Sequence, residues 1–163
     1  MSETGRSMLH WLWLTLLVVL LDQGAKQLVL NLLLLTEQVY VLPIFNFTYL
    51  TNPGAAFSFL SEQDGWQRWF FIALGLIVSG VLLVWLSRLE RRESWTAMAI
   101  ALILGGALGN VIDRIFRGGE VIDFLQFHYA EHYFPAFNIA DSAISVGVAV
   151  MLFDALILSN RRA

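Results

Sequence analysis

Two carboxylates stand apart from the other acids of this chain. Asp123 lies in Val121-Ile122-Asp123-Phe124, and Asp141 in Phe137-Asn138-Ile139-Ala140-Asp141-Ser142. Both are flanked by apolar residues, with no cation adjacent in sequence. Acids in such surroundings are candidates for proton transfer, because burial and a like charge keep a carboxyl protonated near neutral pH. Asp141 also opens an apolar run, where a helix N-terminus favours an anion, so an N-cap role competes with a chemical one there. The other polar groups read first as scaffold. Asp22 and Lys26 stand at i and i+4 on one helix face and can neutralise each other as a structural ion pair. Asn110, Asp113 and Arg114 share a face at i, i+3 and i+4, which lets Arg114 hold Asp113 ionised and brace a neighbouring loop. Asp154, about one turn from the end of the last apolar run, reads as a snorkelling side chain.

Other chemistries have weaker support. His128-Tyr129-Ala130-Glu131-His132 matches the HxxEH spacing of one zinc-peptidase class, which needs a stable helix and a distant third ligand. Here it falls in a short stretch with Tyr133, Phe134 and Pro135, better read as an aromatic interfacial loop. Gly75-Leu76-Ile77-Val78-Ser79-Gly80 approaches the GxSG of rhomboid serine peptidases, but Ile77 occupies the needed glycine, and Ser79 reads as a packing residue. No GxGD of the presenilin type occurs. With no cysteine, the chain has no disulfide, thiolate site or cysteine nucleophile.

These groups are set in a chain whose solvent is mostly lipid. It is 58% hydrophobic and 14% charged, with mean hydropathy +0.67. Soluble domains carry about 45–50% apolar and about 25% charged residues. The net charge of −3 is spread out, and no basic tract argues for nucleic acid. Crossing the hydrocarbon core takes about 20 mostly apolar residues. Four segments qualify, roughly 9–30, 69–86, 95–112 and 139–158, in one integral membrane domain covering 1–163. The first run lacks a small-x-small cleavage pattern, and hydrophobicity resumes at Leu28, so it reads as an uncleaved span. Within the third, Gly105-Gly106-Ala107-Leu108-Gly109 has the GxxxG spacing that admits a neighbouring helix backbone.

Arg6, Arg88, Arg91, Arg92, Arg161 and Arg162 fall on one side if the termini and the middle loop share it, against Arg68 and Arg117 on the other. That bias puts both termini in the cytoplasm. All six tryptophans lie near span ends, as interfacial rings should. Two segments then face outward. In 31–68, Val39-Tyr40-Val41-Leu42-Pro43 and Ile44-Phe45-Asn46-Phe47-Thr48-Tyr49 read as short strands, and Asn52-Pro53-Gly54 as a turn. In 113–138 a third strand is expected at 121–127. The expected fold is therefore mainly α: four transmembrane helices with a small β-sheet on the outer (periplasmic) membrane surface.

Five blocks in order give the chain a resemblance to lipoprotein signal peptidases (signal peptidase II) over nearly its whole length. They are Asp22-Gln23-Gly24-Ala25-Lys26; Asn52-Pro53-Gly54-Ala55-Ala56-Phe57-Ser58; Gly105 to Arg114; Val121-Ile122-Asp123-Phe124; and Phe137-Asn138-Ile139-Ala140-Asp141-Ser142. The resemblance implies that Asp123 and Asp141 are the catalytic pair of an aspartyl endopeptidase. Such enzymes remove signal peptides from bacterial prolipoproteins on the amino side of a diacylglyceryl-modified cysteine. Asn52, Gly54, Asn110, Arg114 and Asn138 match positions that bind substrate or brace the pair, while Asp22, Lys26 and Asp113 remain structural. The resemblance further implies a bacterial inner membrane and no metal or organic cofactor. The charge bias puts the site toward the outer face, contact with membrane lipid is expected there, and the chain is expected to work as a monomer. A small transporter or channel is the rival, since it too would place Asp, Asn and Arg inside a bundle. Four short spans without an inverted repeat or a broken-helix pair argue against it.

Overall fold

The computed structural model describes residues 8–54 and 65–158. Arg6, Arg161, Arg162 and the Ala55-Ala56-Phe57-Ser58 part of the second block lie outside the described residues. Four helices are long and apolar enough to cross a membrane: Met8–Leu32, Trp66–Arg88, Arg91–Phe116 and Ile139–Ile157. Their α-helical parts are α1 (Leu12–Leu32), α2 (Trp66–Arg88), α3 (Ser94–Phe116) and α4 (Ile139–Phe153). A 3-10 turn leads into α1 and another into α3, while Asp154–Leu158 is wound as a π-turn beyond α4.

The burial pattern inverts that of a water-soluble bundle. Along α1 the buried residues are Thr15, Val18, Asp22, Lys26 and Val29, spaced three or four apart as one helical face requires. The intervening Leu16, Leu20, Leu21 and Leu28 are all more than half exposed. Leucine on the outside and charge on the inside is the arrangement favoured when the surroundings are hydrocarbon.

Helix α3 is the hub, packing against α1, α2 and α4. Its glycines make this approach close. A Cβ at Gly105 would meet Val18 of α1 at 2.7 Å, and one at Gly106 would meet the Ala140 carbonyl oxygen of α4 at 2.3 Å. The GxxxG stretch thus serves two neighbours on different sides. An apolar cluster of Met8, Leu82, Leu86, Leu89, Ala97, Ile100 and Leu104 ties α2 to α3 and the N-terminal turn. Nearby, Asp154 does not snorkel. It is buried and accepts a 2.6 Å hydrogen bond from Thr96 Oγ1 on α3, so a buried carboxylate meets a hydroxyl instead of stretching to water.

The connections between α1 and α2 and between α3 and α4 supply an antiparallel sheet in the order β1-β2-β3-β4. Its strands are β1 (Gln38–Leu42), β2 (Phe45–Asn52), β3 (Val121–Tyr129) and β4 (His132–Tyr133). Ile122 and Phe124 of β3 pack on Val29 of α1. Alternation along the strand sends Asp123, between them, away from that cluster.

Three boundaries differ from the sequence expectation. α3 runs one turn past Ile112, which places Asp113 and Arg114 in the helix. β3 continues to Tyr129, because the expected aromatic loop is a hairpin: His128 pairs with Tyr133 and Tyr129 with His132 around Ala130 at φ +51°. The last turn of the fourth span is π-wound, Asp154–Leu158, and not α-helical.

Candidate active site

The entrance to α4 organises the site. A helix start leaves backbone N–H groups without intrahelical partners, and here side chains take them up. Asn138 is the N-cap: its Oδ1 accepts the Asp141 N–H at 2.9 Å, while Asp141 Oδ2 accepts the Asn138 N–H at 3.2 Å. Asp141 is therefore the third residue of a capping box, and the N-cap position belongs to Asn138. The Ala140 N–H goes to Asp22 Oδ1 of α1 at 2.9 Å.

Asn138 also reaches the other acid. It is fully buried, and its Nδ2 donates to Asp123 Oδ1 at 2.8 Å and to the Ile122 carbonyl at 3.2 Å. Asn52, the last residue of β2, donates through Nδ2 to Asp123 Oδ2 at 3.2 Å. It is held by a turn in which its Oδ1 accepts the Gly54 N–H at 2.9 Å, with Gly54 at φ +93°, a conformation that favours glycine. On the opposite side, Asn110 of α3 donates through Nδ2 to Asp141 Oδ1 at 2.8 Å. One asparagine thus touches both acids, and a second asparagine serves each of them.

The two carboxyls differ in setting. Asp123 is 3% exposed, whereas Asp141 is half-buried. Burial, and then the charge of Asp141, push the Asp123 carboxyl from 3.8 up to about 7. The hydrogen bonds from Asn52 and Asn138 and the Lys26 charge oppose that rise. Asp123 therefore holds a proton at neutral pH far more readily than an ordinary aspartate.

Behind Asn110 lies a buried charge network. Lys26 and Asp22 form the expected pair, at 2.8 Å and fully buried, but Lys26 is also 2.7 Å from Asp113 Oδ2. Its third contact is Asn110 Oδ1 at 3.2 Å, so the ammonium uses all three donors. That contact orients the Asn110 amide with its NH2 toward Asp141. Asp113 also receives Arg117, Gln23 Nε2 at 2.9 Å and the Ile122 N–H at 3.2 Å. The expected Asp113–Arg114 pair is thus corrected: adjacent residues point about 100° apart on a helix, and Lys26 and Arg117 balance Asp22 and Asp113 instead.

Arg114 lies elsewhere, close to the acids. Its guanidinium sits 5.1 Å over the Phe71 ring of α2, and Nη1 donates to the Asn110 carbonyl at 3.3 Å. Gln23, Arg117 and Phe71 escape a sequence reading. The i, i+4 relation of Asp113 and Arg117 is visible only once α3 is continued by a turn. The HxxEH residues occupy the β3–β4 hairpin, without the helix such a zinc site needs. Among the described residues no group of three or more His, Cys, Asp or Glu could hold a metal ion.

Comparison with known proteins agrees with this architecture. The chain is 52% identical to a lipoprotein signal peptidase of Pseudomonas putida over 148 residues, which is 90% of this chain and 86% of that protein. It is 49% identical to one from Photorhabdus laumondii, covering 94% of this chain and 92% of the relative. A bacterial membrane enzyme solved by the in meso method at 1.9 Å resolution superposes with a TM-score of 0.82 at 29% identity, over 96% of this chain and 99% of that one. A family model described as Signal peptidase (SPase) II matches residues 14–157, and the chain belongs to that family.

Proposed function

We propose that this protein is an intramembrane aspartyl endopeptidase that removes signal peptides from bacterial prolipoproteins. It cuts on the amino side of a diacylglyceryl-modified cysteine, with Asp123 and Asp141 as its catalytic pair. The observation that carries this reading is the convergence of both carboxyls on Asn138, Asp123 accepting from its side-chain Nδ2 and Asp141 from its backbone N–H. Two carboxyls so close do not both ionise readily, and the pair shares one proton. Burial favours Asp123 as its holder.

Asp141 takes a proton from a water that attacks the scissile carbonyl carbon, while Asp123 gives its proton to the carbonyl oxygen. The tetrahedral intermediate collapses as Asp123 recovers that proton and Asp141 delivers the water's proton to the departing cysteine nitrogen. The signal peptide leaves with a new carboxyl end. Each acid ends as it began. Asn52, Gly54, Asn110 and Asn138 keep the acids in place, and Arg114 supplies guanidinium donors toward the substrate backbone. No step here calls for a metal or an organic cofactor.

In this reading the chain is a single integral domain of the bacterial inner membrane with both termini in the cytoplasm. Arg88 ends α2, and Arg91 and Arg92 lie between α2 and α3, on the side away from the sheet, as residues of cytoplasmic loops do. The sheet and the acids then face outward, where water for hydrolysis meets lipid for the substrate's acyl chains. In the same reading a single copy of the chain is the working unit.

The test is cleavage of a lipid-modified prolipoprotein by purified protein in detergent. Asp123→Asn and Asp141→Asn should each lose nearly all turnover, and the double variant should be little worse than either, because groups acting as a unit are not additive. The wild-type rate should follow a bell-shaped pH profile and survive chelators. Near wild-type turnover by Asp141→Asn, or loss of the wild-type rate on chelation, would sink the aspartyl mechanism.

A further inference from the structure

Helix α2 carries neither of the two acids nor the three asparagines that hydrogen-bond to them, yet one of its rings touches both sides of the site. A Cβ at Gly54 would lie 2.4 Å from Phe71 Cε2 and 2.7 Å from Cδ2, so the ring packs directly on the turn that sets Asn52 against Asp123. The same ring lies 5.1 Å from Arg114 Cζ, and Arg114 is bonded to the Asn110 carbonyl on the Asp141 side.

Arg114 itself is unusual. It lies within electrostatic reach of Asp141, Asp113 and Asp123. Among the described residues it nevertheless forms an ion pair with none of them, and its buried Nε has no hydrogen-bond partner. An arginine beside carboxylates ordinarily closes onto one as a two-pronged pair. The nearby charges are otherwise committed: Lys26 to Asp22 and Asp113, and Arg117 to Asp113. Arg68, on α2 itself, donates to the Ile115 carbonyl at 2.8 Å.

We infer that Phe71 is a positioning residue for the proteolytic reaction, holding the Arg114 guanidinium against its ring face and off the two acids. An aromatic face attracts a guanidinium through its quadrupole, most strongly where water is excluded. Held there, the cation keeps donors free for a substrate carbonyl. Released, it closes onto Asp141 or Asp123, favours the doubly ionised pair and removes the shared proton that catalysis uses. Gly54 belongs to the same device, since any side chain there would displace the ring.

This inference rests on the peptidase reading, and the experiment separates the two. Full-length protein carrying phenylalanine with one, two or three ring fluorines at position 71 is assayed in detergent on lipid-modified prolipoprotein. Fluorination weakens the negative ring face and leaves its shape nearly unchanged. Turnover should fall stepwise, by roughly tenfold at three fluorines, with unchanged melting temperature. The alkaline limb of the pH profile should move to lower pH. Phe71→Leu should show the same shift in larger measure, and Phe71→Trp should retain the wild-type profile. A flat fluorine series in an enzyme that cleaves normally overturns the role of Phe71 alone, even where the leucine variant fails to fold. A wild-type protein that leaves the substrate intact overturns the peptidase reading and this inference together.

Discussion

Removing the charge of Asp123 should stabilise the protein in a way that depends on pH. Its carboxyl is 3% exposed and is pushed from 3.8 up to about 7, first by burial and then by Asp141. The folded protein therefore binds this proton more tightly than the unfolded chain does. The stability it contributes is fully present below about pH 4 and is lost as the pH rises to about 7. Over that interval, at about 1.4 kcal/mol per pH unit, the loss reaches ~4 kcal/mol. Asparagine stays neutral and escapes that loss. It does present an NH2 to one of the two amide donors from Asn52 and Asn138, giving up a hydrogen bond worth about 1 kcal/mol. The Asp123→Asn protein should thus be near parity with wild type at pH 5 and about 3 kcal/mol more stable at pH 8. For a chain of this size that difference at pH 8 is roughly 6–12 °C in melting temperature. Tryptophan fluorescence during thermal unfolding in one detergent, with both proteins at both pH values, reads it directly. Comparing variants at equal pH cancels the titrating groups that do not interact with Asp123. A variant less stable than wild type at pH 8, or an advantage that fails to grow from pH 5 to pH 8, refutes the argument that burial holds a proton on Asp123.

The scaffold acid should behave in the opposite sense. Asp113→Asn leaves Lys26 and Arg117 short of one counter-ion inside the bundle, and a drop of about 3–5 kcal/mol in stability is expected; a melting temperature equal to wild type would contradict it. Gly106→Ala drives a methyl into the Ala140 carbonyl and Ile144 of α4, so unfolding should be easier by about 1–3 kcal/mol, with activity reduced at the temperature where α4 loosens. Reporter fusions after Ala163 and within residues 62–65 should report opposite sides of the membrane; finding both on one side removes the four-span topology.

The spans, the strands and the residue types at the site were legible in the sequence because each rests on a local constraint. A bilayer demands about 20 apolar residues in a row whatever the fold, and β-branched and aromatic runs such as Gln38–Leu42 and Phe45–Asn52 suit a sheet without knowledge of their partners. The Asp22–Lys26 pair was legible for the same reason, since i and i+4 are neighbours on any helix. Tertiary structure decided the rest. Asp113 turns to Lys26 and Arg117 and away from Arg114, and Asp154 turns inward to Thr96, because the rotation of each helix is set by where its neighbours approach. Those approaches run through single contacts, Gly105 on Val18 and Gly106 on Ala140, that no periodicity in one helix discloses. The meeting of Asp123 and Asp141 at Asn138, and the place of Phe71 between Gly54 and Arg114, arise in the same way. They join a strand, a turn and three helices that are far apart in sequence, and only the packed bundle brings them within hydrogen-bonding or ring-contact distance.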